Sequence, residues 1–123
     1  MIDIIDDVIR EIRSIESVGD NVYRRWPKKK VAMPAVLVSR MGATPVFTDA
    51  DGQEVIMTLY YSIDINANVQ EDVESITAQV VDKLARYNLH RTGIQDFYDD
   101  ALKVYRVILT VSGTVDRRGN TFS

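Results

Sequence analysis

The chain has 123 residues, enough for one domain with a real core, and its 46% hydrophobic and 27% charged content is that of a globular fold rather than a disordered segment. Fifteen Lys and Arg against eighteen Asp and Glu give a net charge of -3, which argues against a dedicated DNA-binding protein. With no cysteine, disulfides, zinc ribbons and thiol catalysis are excluded, and a single histidine excludes any mechanism needing two.

The N-terminus, MIDIIDDVIREI, is acidic where a signal peptide is basic, and no run approaches the roughly 20 apolar residues of a membrane span. Synthesis in the cytoplasm and no membrane partner are expected. Residues 2–17 read as an amphipathic helix, with Ile2, Ile5, Ile9 and Ile12 at spacings of three and four. Asp3, Asp6 and Asp7 sit at the positive end of its dipole, and Gly19 ends it. Residues 22–26 (VYRRW) predict a short strand stopped by Pro27, followed by the basic loop Lys28, Lys29 and Lys30.

A strand is predicted over 35–41 and resumes at Val46 and Phe47 after a bend marked by Gly42 and Pro45. Asp49–Glu54 forms a hairpin loop around Asp51-Gly52. In residues 55–69 every odd position is apolar and the even ones, after Ile56, are polar or amphipathic. At ~3.3 Å per residue that strand would reach about 50 Å, long enough to project as an arm towards a neighbour. Met57, near the tip, would then be covered by another subunit, while Leu59 and Ile63 would sit in the monomer core.

Asn68 and Glu71 have the spacing of a capping box for a second helix, 70–87, whose stripe is Val73, Ile76, Val80, Leu84 and Tyr87. Residues 88–101 break the pattern and read as a loop. A last strand follows at 102–116, and 117–123 reads as a flexible polar tail. The expectation is one α+β domain, 1–116, in the order α-β-β-β-α-β: an antiparallel or mixed sheet with helices on one face and a long hairpin.

No motif of catalysis appears. The chain lacks GxxxxGK, GxGxxG and GxSxG, and His90 beside Arg91 has no nucleophile partner by sequence. Asp49, Asp51 and Glu54 fall short of a calcium loop, because glycine comes fourth rather than sixth. Neither an enzyme, a cofactor nor a metal is expected. Charge placement is more telling. Arg24, Arg25, Lys28, Lys29, Lys30 and Arg40 follow one another with no intervening acid, whereas Met41 to Asp82 holds eight acids and no base. Such segregation suits head-to-tail contacts between copies, with Asp49, Asp51, Glu54 and Met57 on the acidic side, unless the hairpin pairs the two patches within one subunit.

The succession VYRRWP, PAVLVSR, TLYYSIDINA, EDVESITAQVVDKL and YRVILTVSGTVD resembles the small neck proteins of long-tailed bacteriophages, in particular the tail terminator (tail completion) proteins. That resemblance implies a structural virion protein of the neck and tail that forms a ring, usually a homohexamer. The ring caps the tail tube, ends its polymerisation and takes part in head-tail joining. Its implied partners are the tail tube protein on one face and the head-closure or connector protein on the other, with viral DNA passing through the lumen without specific binding. A head-closure or adaptor role, a non-phage binding module, and a nucleic-acid binder using Tyr23 and Trp26 beside cations are the alternatives.

Overall fold

A computed structural model describes residues 3–52 and 54–122, apart from the side chains of Glu54, Val55 and Phe122. Two helices and six strands follow in order: α1 (Ile5–Arg13), β1 (Val22–Tyr23), β2 (Ala35–Thr48), β3 (Glu54–Ala67), α2 (Gln70–Ala85), β4 (His90–Asp99), β5 (Val104–Asp116) and β6 (Thr121–Phe122). They form one mixed sheet in the order β1-β2-β3-β5-β4, with β6 added to β5. Among the described strands only β1 and β2 pair in parallel. The predicted α+β class and the single helix-covered sheet are both present.

The period-two pattern of β3 decides which face is covered. Met57, Leu59, Tyr61, Ile63 and Ile65 pack with Val107, Leu109, Val111 and Val115 of β5. Onto them dock Ile5, Val8, Ile9 and Ile12 of α1 and Val73, Ile76, Val80 and Leu84 of α2. Both helices therefore lie on one face. Each contributes an apolar stripe at spacings of three and four, so burial rather than propensity holds them. Tyr61 locks α1 in place: its hydroxyl donates to Asp3 Oδ1 at 2.7 Å and accepts the Ile4 N–H at 3.0 Å. Burial and the Asp3 bond push the Tyr61 phenol well above its ordinary value.

Several expectations are corrected. The long strand is not a projecting arm, because β5 pairs with β3 from Ile56 to Ala67 and so flanks it almost to the tip. Met57 is accordingly 3% exposed and covered by its own subunit, so it has no surface for a neighbour. Residues 90–99, expected as loop, are strand β4, paired with β5 from His90 to Asp99. The capping box does not form: Val69 is the N-cap of α2, with no side-chain cap bond. Residues 117–122, expected as a loose tail, make a turn and a strand instead. Asp116 accepts the N–H groups of Arg118 and Asn120, each at 2.9 Å, and β6 then pairs with β5. Those bonds hold the Asp116 carboxyl below its usual range, the Asn120 N–H contributing most. Among the described residues, no helix is long and apolar enough to cross a membrane.

Candidate interaction surfaces

Three regions of the surface stand out: the basic end of the sheet, the hairpin tip at its other end, and the face the helices leave open. The basic end is built on Asn21, whose side chain donates to the carbonyls of Ala32 and Pro34 and so closes the 22–34 loop. Trp26, Val31 and Met33 of that loop, Leu102 and Lys103 of the β4–β5 turn, Val104 of β5, and Asn66 and Asn68 line one open groove of about 550 Å³, with Lys30 and Lys103 among its lining. The turn is tight: Asp99 accepts the Leu102 N–H at 3.0 Å, and Lys103 adopts a left-handed φ of 56°.

The expected basic patch is only partly a patch. Arg25, Lys28, Lys29 and Lys30 are exposed at this end. Arg24 lies 3.7 Å from Asp6 on α1, a solvent-exposed pair of little energetic weight. Arg40 sits elsewhere, half-buried and 4.0 Å from Asp3 at the start of α1.

The hairpin tip lies at the far end of β2 and β3, roughly 40 Å away at ~3.3 Å per residue. The two charge patches therefore do not meet within the subunit. Asp49 instead faces Arg117 at 3.0 Å, and its other oxygen accepts the Asp51 N–H. Asp51 is exposed. The Glu54 side chain lies outside the described residues. Val46 and Phe47 beside the tip are 60% and 55% exposed. The remaining acids of the 41–82 run are dispersed: Asp64 is buried, while Glu71, Asp72 and Glu74 ride on the first turns of α2.

The open face of the sheet is the third region. Residues paired across strands share a face. The partners Ser39↔Ser62↔Thr110, Tyr60↔Ser112 and Thr58↔Thr114 therefore form hydroxyl-rich rows opposite the helices. Near the groove this face carries one ionic cluster. Arg106 grips Asp64 at 2.6 Å and Asp99 at 2.9 Å, lies 5.2 Å from the centre of the Phe97 ring, and is braced through Asp64 by Asn66. The Leu102 N–H and then Arg106 hold the Asp99 carboxyl below its ordinary range; the Asp64 bond is the main reason the Arg106 guanidinium is raised. Two carboxylates thus hold the cation in place.

Sequence reasoning missed this cluster, because Asp64 and Arg106 are 42 residues apart and neither carries a local signal. His90 opens β4 on the same face, across from Ser112. Among the described residues, no cluster of three His, Asp or Glu side chains is placed to hold a metal. Compared with models of known protein families and with curated proteins, the chain matches none.

Proposed function

We propose that the chain is a ring-forming structural protein of the neck of a long-tailed phage, a tail terminator that caps the tail tube and joins it to the head connector. The reading rests on the sequence resemblance, and the open face of the sheet is the observation that carries it structurally. A ring of copies with helices outward turns this face to the lumen. Serine and threonine hydroxyls then line part of the wall, and Arg106 is already engaged by Asp64 and Asp99. Affinity for DNA scales with the number of phosphates neutralised by available cations. Such a wall guides a duplex without gripping it, as DNA transit requires. A hexamer, with the tube on one rim and the connector on the other, is the form the resemblance implies, in the virion neck.

The test is tube capping. Tail-tube protein of the same phage is polymerised with and without the purified chain, and tube ends are imaged by electron microscopy. Rings at tube ends and arrested elongation are expected. Tubes that grow unchanged, with no density at their ends, overturn the reading. A head-closure protein would instead leave the tubes bare and bind the connector.

A further inference from the structure

Among the described residues, the sheet ends in two edges to which no further strand adds along most of their length. On one side β1 covers Val36 and Leu37, and no other described strand joins the outer edge of β2. On the other side β4 offers its whole outer edge, ten residues long and exposed almost throughout. Both edges carry exposed apolar side chains: Met41, Val46 and Phe47 on β2, Ile94, Phe97 and Tyr98 on β4. A long open edge is a template for pairing with another chain.

We infer that the partner is a second copy of this chain, and that β4 of one subunit pairs antiparallel with β2 of the next, so that one sheet continues around the ring. This deepens the ring reading above and rests on it. Strand direction supports it. Three successive antiparallel pairings separate β2 from β4, so they run in opposite directions. Rotation about an axis along the strands keeps those directions, and neighbouring copies meet antiparallel. The contact is heterologous, the kind that closes into rings.

The register follows from the ladders. At equal height, Gln95 and Asp96 of β4 fall level with Leu37 and Val36, where β1 already sits. The neighbour must therefore be shifted towards the hairpin tip. Only an even shift keeps helix-bearing faces together. Shifts of two and four still set Phe97 or Asp99 level with Leu37, where β1 sits; six is the smallest even shift that clears it. It sets Asp99 across from Ser39, Tyr98 from Arg40, Phe97 from Gly42, Asp96 from Ala43 and Gln95 from Thr44. Pro45, which cannot donate, then meets Ile94 next to the β4 irregularity at Arg91–Gly93. With four strands per copy, a six-residue stagger means a strand tilt of about 45°, at the steep end of the range in which barrels close. In a hexamer the same spacing gives a backbone diameter of roughly 53 Å, wide enough for a DNA duplex.

Disulfide trapping tests this directly, since the chain has no cysteine. Gly42→Cys with Phe97→Cys is one double variant; a Cβ at Gly42 meets open space. Thr44→Cys with Gln95→Cys is a second pair in the same register. Within one subunit, three strand spacings, about 14 Å, separate the two edges, too far for a disulfide. Mild oxidation should give a ladder of covalent multimers from both double variants, read by non-reducing electrophoresis and reversed by reductant. Gln95→Cys alone should stay uncrosslinked. Efficient dimers from Gln95→Cys alone would mean two-fold β4–β4 pairing and overturn the proposal. Rings by native mass spectrometry without ladders would overturn the edge pairing and leave the ring reading standing. Monomers without ladders, both alone and with assembled tail tubes, would overturn both.

Discussion

Tyr61→Phe removes one oxygen and little volume, so its cost isolates the hydroxyl that ties α1 to β3. Tyr61 is 0% exposed. The change deletes a bond to the Asp3 carboxylate and leaves the buried Ile4 N–H without its acceptor. A hydrogen bond to a charged group contributes about 1.5–3 kcal/mol, and the lower end applies because Asp3 is partly solvated; an unsatisfied buried N–H adds about 1 kcal/mol. The expected loss is about 2.5 kcal/mol. Urea denaturation should show a lower midpoint with an unchanged slope. Asp3→Ala and the double variant complete a cycle whose coupling should reach about 1 kcal/mol. A Tyr61→Phe protein within about 0.5 kcal/mol of the parent would refute the anchoring role.

Gly113→Ala should destabilise by about 1–3 kcal/mol in thermal unfolding, because its Cβ would fall 2.6 Å from the Asn88 carbonyl oxygen and from Leu89 Cδ2; Gly42→Ala, in open space, should be near neutral. Asp99 and Asp116 titrate below their ordinary 3.8 in the fold, so the stability they contribute is present above about pH 4 and lost as pH falls further. Asp99→Asn and Asp116→Asn should each flatten the fall in stability measured between pH 5 and pH 2. Met57→Asp should unfold the monomer, as Leu59→Asp and Ile63→Asp should, because all three lie in the core; a folded Met57→Asp protein defective only in association would restore the arm reading.

The elements legible in the sequence are those whose burial is one-sided. β3 and β5 alternate cleanly, and α1 and α2 carry stripes at helical spacing, because each faces a core on one side and not on the other. β4 was illegible for the converse reason. As an edge strand it is exposed on both faces, so selection for burial imposes no alternation, and Gly93, Asp96 and Asp99 favour a loop reading. Asn68 and Glu71 had the spacing of a cap, but the chain leaves β3 so directly that Val69 takes the cap position. The charge run was real in sequence. Its meaning in space changed because β2 and β3 carry the basic loop and the hairpin tip to opposite ends of the sheet, and because Arg117, from the far end of the chain, reaches Asp49. Pairings such as Tyr61–Asp3 and Arg106–Asp64 depend on the register of distant strands, which no local pattern encodes.

The central claim is that this subunit closes on itself into a ring. Native mass spectrometry of the purified chain over a wide concentration range, alone and with assembled tail tubes, measures that most directly. One defined multiple of the 14.0 kDa subunit is expected, a hexamer, with no open-ended series above it. A protein that remains monomeric at every concentration, and leaves tail tubes unoccupied, would contradict it.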